Sequence, residues 1–381
     1  MTVVIKPGMG HAPMHGARSG HSIRNYAENP MLVYWEMTMA CPLACKHCRA
    51  EAMPTRHPDE LNHEQSRQFL QQLVRFGDPL PHLILTGGDP LMRPDLYELI
   101  DEANSLGLSV SITPAASQNL TRPVIEKLKA HGIQSLGLSL DGSTPERHEA
   151  VRGVPGCFGW TMEAARIAGD LNMPIQVNTL VAEQTAEDLP AVYELLKTVK
   201  VMRWSLFFLI AVGRGRALQE VSPERGEEIM NWTYDLARVS PFAVKTTEAP
   251  SYRRIALNRM RGEGMAPDQI QRSSVYHGFG IRDGNGVVFV SNTGDIYPAG
   301  FLPQVLGNVK TDSLIATYRQ APVFKSLHEA NQFKGKCGYC EYRVICGGSR
   351  ARAFAYTGDA LESDPFCPYQ PERGNTRLIN A

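Results

Sequence analysis

Leu32-Val33-Tyr34-Trp35-Glu36-Met37-Thr38-Met39-Ala40-Cys41-Pro42-Leu43-Ala44-Cys45-Lys46-His47-Cys48 is an apolar run followed at once by three cysteines at CxxxCxxC spacing. Thiolates are soft ligands suited to zinc, copper(I) or iron–sulfur clusters. Three of them from one short loop hold three corners of a cubane cluster and leave the fourth iron open to a substrate or cofactor. Structural zinc is the alternative. It is closed by four ligands, laid out as CxxC plus CxxC or CxxC plus a histidine pair. The spacing departs from that layout, and the fourth ligand would have to be His47, between two of the cysteines.

A strand-then-helix pattern repeats from residue 31 onward. Strand candidates are Leu32–Met37, His82–Thr86, Ser109–Thr113, Ser135–Leu140, Ile175–Val181 and Met202–Ile210. Helical patterns lie near 62–75, 95–106, 121–130, 160–171, 187–199 and 223–239. Asn62 with Gln65 three residues on is a capping pair, and Thr121 followed by Pro123 marks another helix start. Alternating βα units imply a parallel sheet with right-handed crossovers. Six units rather than eight predict an α/β fold built on a partial (β/α)6 TIM-like barrel. In parallel barrels the chemistry gathers at the C-terminal strand ends, so the residues after each strand are the candidate site.

After the second strand comes Thr86-Gly87-Gly88-Asp89-Pro90. Its glycines let backbone approach a ligand closely, and its carbonyls can accept from an ammonium group. After the third, Thr113-Pro114-Ala115-Ala116-Ser117 offers hydroxyls. The fourth ends in Ser139-Leu140-Asp141-Gly142, with His148 and Arg152-Gly153 beyond. Arg152 is either a bidentate fork for a carboxylate or a salt bridge that fixes the loop. The fifth strand carries Asn178-Thr179. The sixth, Trp204 to Leu209, is apolar as a strand buried on both faces should be. It leads to Gly213-Arg214-Gly215-Arg216, whose guanidiniums either clamp substrate carboxylates or pair within the loop. Cys157, alone beside Phe158, reads as a buried inert thiol.

Beyond the sixth unit, residues 240–275, with Lys245 to Arg254 within, are charged and interrupted by proline, as expected of a bridge between domains that also contacts substrate. Val287–Ser291 and Ile296–Pro298 flank Asn292-Thr293-Gly294-Asp295, a hairpin signal. Then come Cys337, Cys340, Cys346 and Cys367, spaced x2, x5 and x20. Four thiols close either a zinc site or an auxiliary 4Fe-4S cluster. The longer spacings and the company of a first cluster favour the latter.

The CxxxCxxC loop after a strand resembles the signature of radical S-adenosylmethionine (SAM) enzymes. That resemblance implies the partial barrel, a 4Fe-4S cluster on Cys41, Cys45 and Cys48, and SAM held on the open iron. It implies reductive cleavage of SAM to a 5′-deoxyadenosyl radical, with the electron from a flavodoxin- or ferredoxin-type reductant. Gly87-Gly88-Asp89-Pro90 resembles the family's GGEP segment for the SAM amine, with Asp in place of Glu. The stretch from Ser139 to Arg152 resembles Ser-x-Asp-Gly…His…Arg-Gly, which implies SAM ribose or carboxylate contacts for Ser139 and Arg152. Thr113, where relatives often carry Thr-Asn-Gly, and Asn178 fall at SAM-contacting positions, and the sixth strand's end is expected to line the adenine pocket. The C-terminal cysteines look like a small cysteine-rich SPASM-like auxiliary domain in single-cluster form. Gly300-Phe301-Leu302-Pro303, Gly307-Asn308-Val309, Lys334 to Gly338 and Cys346-Gly347-Gly348-Ser349-Arg350 are similar to the radical SAM enzymes of heme biosynthesis, those of the siroheme-dependent route and of d-type heme. Ala299 and Ser349 stand where those relatives often have cysteine, which leaves room for an uncharacterised sister branch.

The expected organisation is a lead-in at 1–29, a barrel at 30–240, a bridge at 241–275 and the auxiliary domain at 276–381. The lead-in, with His11, His15 and His21, reads as a loose tail or a lid. Lys plus Arg and Asp plus Glu both number 39, so charge makes no case for nucleic acid or anionic membrane. No run of 18 apolar residues spans a membrane, and Met1 to Lys6 is too short for a signal peptide. Clustered cysteines in a non-secreted chain read as metal ligands, and oxygen-labile clusters place the protein in the cytoplasm. The expected reaction is oxidative decarboxylation of a propionate-bearing tetrapyrrole. The rivals are maturation of a ribosomal peptide or small molecule, and a non-catalytic electron carrier.

Overall fold

The structure, a computed structural model, describes residues 24–372 and Leu378. The readings of His11, His15 and His21 lie outside these residues. Nine strands form one sheet: β1 (Leu32–Glu36), β2 (His82–Thr86), β3 (Ser109–Ile112), β4 (Leu136–Ser139), β5 (Ile175–Val181), β6 (Arg203–Phe208), β7 (Ala243–Thr247), β8 (Val287–Val290) and β9 (Ile296–Tyr297). Thirteen helices occur among the described residues: α1 (His63–Val74), α2 (Leu96–Ser105), α3 (Arg122–Ala130), α4 (Pro145–Arg152), α5 (Cys157–Asp170), α6 (Leu189–Leu196), α7 (Pro223–Ala237), α8 (Tyr252–Gly262), α9 (Pro267–Gln271), α10 (Leu314–Gln320), α11 (Pro322–His328), α12 (Gly335–Tyr339) and α13 (Arg350–Thr357). None is long and apolar enough to cross a membrane.

The six expected strands pair in parallel and in chain order, from β1 to β6. Two additions extend the sheet. β7 joins β6 at one edge, inside the segment read as a bridge. At the other edge β8 pairs in parallel with β1, and β9 folds back on β8, as the turn sequence predicts. The C-terminal hairpin thus continues the barrel's own sheet. β7 escaped the sequence reading because Ala-Val-Lys-Thr-Thr is short, polar and lacks clean alternation.

Side chains alternate across a strand. Val33, Trp35, Leu83, Leu85, Val110, Ile112, Val177, Trp204 and Leu206 are almost fully buried under the helices. Trp35 meets Phe69 of α1 edge-on at 5.2 Å, and Trp204 stacks on Tyr193 of α6 at 6.0 Å. The intervening residues are largely polar: Tyr34, Glu36, His82, Ser111, Gln176, Asn178, Arg203, Ser205 and Lys245. They face the inside of a curled sheet. Tyr34 of β1 and Arg203 of β6 influence each other's ionisation although four strands lie between them.

Helix starts follow the local signals. Asn62 Oδ1 accepts from Gln65 N at 2.9 Å, and Gln65 Oε1 accepts from Asn62 N at 3.0 Å, the reciprocal box expected for α1. Thr121 makes no side-chain cap, and Pro123 alone marks the start of α3. α4 was not foreseen because Pro-Glu-Arg-His-Glu-Ala-Val-Arg has no apolar stripe. Thr144 caps it, and Gly153 ends it at φ +72°.

Candidate functional site

The cysteine loop leaves β1 and is tied down by the Glu60 carboxylate and by backbone. Thr38 Oγ1 donates to Glu60 Oε1 at 2.7 Å, Met39 N donates to the same oxygen at 3.1 Å, and Cys41 N donates to Met53 O at 2.8 Å. Gly88 N and Asp89 N donate to Thr38 O and Ala40 O, both at 2.7 Å. A Cβ on Gly88 would sit 2.4 Å from Ala40 O, and one on Gly87, at φ +146°, would sit 2.4 Å from Thr38 O. The two glycines therefore let the loop after β2 seat the cysteine loop. Their close approach is to that loop's backbone, where the sequence suggested approach to a ligand. Gly88→Ala is expected to cost about 1–3 kcal/mol as an overpacked site and to lower iron uptake by Cys41, Cys45 and Cys48. Wild-type iron content and SAM cleavage in that variant would contradict this.

Cys45 is buried, and Cys41 and Cys48 are partly exposed. The three thiols are close enough that Cys45 and Cys48 both act on Cys41, whose thiol burial pushes up to about 12. A thiol this reluctant to ionise alone needs a cation to become a ligand. Among the described residues no three His, Cys, Asp or Glu side chains converge on one ion-sized position. A cubane does not require that, since its thiolates sit on separate irons. The loop's chemistry therefore fits an iron–sulfur cluster.

Asp89 supplies one oxygen to the protein and withholds the other. Oδ1 accepts from Leu91 N at 3.1 Å and Ala115 N at 3.3 Å, while Oδ2 is buried without a partner. Burial pushes this carboxyl up to about 6. Ser139 and Asn178 are register partners on adjacent strands, and Asn178 Oδ1 accepts from Gln176 Nε2 at 2.8 Å. Thr113 packs against Gly137, where its Oγ1 would lie 2.5 Å from an added Cβ.

Arg152 takes the salt-bridge role. Its Nε donates to Asp141 Oδ2 at 2.6 Å, and Nη1 reaches Cys45 Sγ at 3.6 Å. Asp141 Oδ1 accepts from Leu180 N at 2.7 Å. Burial alone would raise the Asp141 carboxyl, but Arg152, with His47 and His148, outweighs it and holds it near 2. His47 and His148 are pushed down to about 4, chiefly by burial. Cys157 opens α5 as a buried thiol pushed up to about 11 by burial.

Arg214 and Arg216 do not share an environment. Arg214 N donates to Cys48 O at 3.1 Å, and its Nε and Nη2 are buried without partners. Arg216 is exposed. Gly213, at φ +53°, lies so close to the cysteine loop that a Cβ would meet Arg49 O at 2.5 Å.

The four C-terminal cysteines come together around α12 and the start of α13. Cys340 and Cys346 each feel Cys337 and Cys367, and burial pushes both thiols up to about 12. Cys337 Sγ accepts from Asp364 N at 3.4 Å and Arg350 Nη2 at 3.5 Å, and Cys346 Sγ accepts from Gly348 N at 3.4 Å. Arg350 is fully buried over the Phe333 ring, 4.5 Å from its centroid. Such positive surroundings suit a group carrying four thiolates.

Ser349 and Ala299 both lie where barrel and C-terminal segment meet. Ser349 is buried, caps α13, and donates through Oγ to Glu248 Oε2 at 3.1 Å. Ala299 packs in the small cluster that includes Ile210, Val212 and Leu302.

Sequence reasoning placed Lys245 and Glu248 in a bridge that contacts substrate, but missed the strand pairing that brings them into the lumen with Tyr34 and Arg203. Glu248 follows β7 at φ +60°, strained for a non-glycine residue. Burial, then Asp283, pushes its carboxyl up to about 8 against Arg352 and Ser349. Tyr34 is pushed up to about 12 by burial, with Glu248 adding to it. Lys245 is pushed down to about 7 by burial and by Arg203. The signal that could have found them is polarity at alternate positions of otherwise buried strands.

A family model described as the radical SAM superfamily matches residues 35–196. The chain is 37% identical over 347 residues to the AdoMet-dependent heme synthase of Methanosarcina barkeri, which covers 90% of this chain and 97% of that protein. It is 34% identical over 367 residues to the protein of the same name from Nitratidesulfovibrio vulgaris, covering 95% and 98%. Among solved structures, Streptococcus suis SuiB bound to its precursor peptide SuiA has a TM-score of 0.69 at 17% identity, over 90% of this chain and 76% of that one, a likeness of fold.

Proposed function

The chain belongs to the radical SAM superfamily, and from that premise we propose that it oxidatively decarboxylates a propionate side chain of an iron porphyrin. It is an enzyme whose family binds a 4Fe-4S cluster and SAM. The observation that carries the proposal is a second four-thiol set linked to the barrel lumen through Ser349 and Glu248. When bound, the first cluster with SAM would supply hydrogen-atom abstraction from the propionate, and a second, auxiliary 4Fe-4S cluster would supply an acceptor for the electron that loss of carbon dioxide leaves behind as the vinyl group forms.

Cys41, Cys45 and Cys48 would hold the first cluster, and Cys337, Cys340, Cys346 and Cys367 the second. The unpartnered Oδ2 of Asp89 is the natural acceptor for the SAM ammonium. Thr113, Ser139 and Asn178 offer hydroxyl and amide groups to the rest of SAM. Arg152 is a positioning residue: its fork is spent on Asp141, and it braces Cys45. Arg214, whose backbone N–H donates to Cys48 O and whose Nε and Nη2 are buried, fits a SAM or cluster role better than a substrate clamp. A flavodoxin- or ferredoxin-type protein would supply the priming electron, in the cytoplasm. The likeness to SuiB keeps a peptide substrate as the second reading, on fold alone.

The test uses anaerobically reconstituted protein with dithionite and SAM. 5′-Deoxyadenosine is measured with and without iron-coproporphyrin, and the porphyrin is followed by mass. Stimulated 5′-deoxyadenosine with loss of a carboxyl group is expected. Slow, unstimulated 5′-deoxyadenosine with intact porphyrin would move the assignment to a peptide or another small substrate.

A further inference from the structure

We propose that Lys245, with Arg203 beside it, forms a carboxylate-receiving pair inside the barrel lumen that holds a propionate of the substrate. The inference rests on the tetrapyrrole reading for the identity of the carboxylate, and on the lumen's geometry for the pair itself. Lys245 sits in the middle of β7, in register with Ser205 of β6, and Arg203 lies two residues before Ser205 on the same face. Both side chains therefore point inward. Arg203 Nη1 donates to Gln176 Oε1 at 3.4 Å, across the β5–β6 pair.

Lys245 makes no hydrogen bond or ion pair among the described residues, although it is enclosed by protein. Its side chain keeps partial accessibility, as a group does when it opens onto an internal space. Its neighbouring charge is Arg203, a second cation. A buried ammonium without a counter-ion is costly, and two cations side by side are costlier.

The acids of the lumen do not relieve this. Glu248 is engaged by Ser349 and held largely protonated near neutral pH, and Asp283 Oδ2 accepts from Ala351 N at 2.9 Å. Tyr34, near Arg203, keeps its phenol proton. Lys245 thus stands beside a second cation with no acid bonded to it among the described residues, an environment complementary to a carboxylate. An arginine fork beside a lysine point charge is a common way to hold one.

The experiment compares binding of iron-coproporphyrin with that of its methyl ester, by anaerobic absorbance titration, to wild type, Lys245→Met and Lys245→Arg. The wild type is expected to prefer the free acid. Lys245→Met should weaken free-acid binding about 10- to 100-fold, as for loss of a charge-assisted bond, and should leave ester binding unchanged. Lys245→Arg should recover part of the loss. Lys245→Met should also melt at a higher temperature, because it removes an uncompensated buried charge. A merely structural lysine would melt lower on removal. Wild-type discrimination between acid and ester in Lys245→Met would overturn the pair. If wild type binds neither porphyrin, the tetrapyrrole reading falls, and the pair is judged by whether propionate protects Lys245 from amine acylation mapped by mass spectrometry. Protection would uphold an anion site, and its absence would overturn it.

Discussion

Cys45→Ala is expected to abolish 5′-deoxyadenosine formation while the C-terminal thiol set keeps its iron. Cys45 is the middle cysteine of the loop, buried, and its Sγ faces the Arg152 guanidinium. Removing it leaves only two thiols on the loop. Cys367→Ala is the counterpart. It strips one thiol from the second set, which is built on α12 and the segments around α13, and leaves the loop after β1 intact. That variant should still cleave SAM but form no decarboxylated product. Iron and sulfide content, 5′-deoxyadenosine and porphyrin mass, measured on both variants, separate the two roles. SAM cleavage by Cys45→Ala would refute the three-thiol assignment. Wild-type product formation by Cys367→Ala would refute electron acceptance by the second set.

Arg152→Ala should lower folding stability by about 3–5 kcal/mol, because it strands a carboxylate inside the protein. Asp141 is buried and bonded to Arg152, Leu180 N and, through its own N–H, His148 Nδ1. Asp141→Asn combined with Arg152→Ala should recover much of the loss, since no charge is then left unpaired. The effect has a pH signature. The Asp141 carboxyl lies near 2 in the folded chain against about 4 in the unfolded one. Its contribution is therefore complete above about pH 4 and is lost as pH falls towards 2. Urea melts of metal-free, reduced protein from pH 7 down to 3 should show wild type losing stability in that acid range and Arg152→Ala losing less. A variant within about 1 kcal/mol of wild type at pH 7 would mean that the pair behaves as an exposed one.

Much of this was legible in the chain itself. Cysteine spacing is local, so both thiol sets could be picked out directly. Six strands and most of the barrel helices carry strong apolar periods, and the structure returns them within a few residues. Ligand type and hydrophobic period are encoded within a dozen residues, so the sequence alone determined the family of chemistry and the order of the sheet.

The lumen was decided only by tertiary structure. Tyr34, Arg203, Lys245 and Glu248 stand far apart in sequence and meet because strand register and sheet curl bring them there. Register depends on pairing between distant segments, and no single segment records it. The same holds for Arg152, whose ion pair depends on where the fold places Asp141, and for Arg214 and Arg216, which one motif placed together and the fold set apart. Gly87 and Gly88 were legible as glycines with a purpose, but only the packed loops show that the purpose is to seat the cysteine ligands.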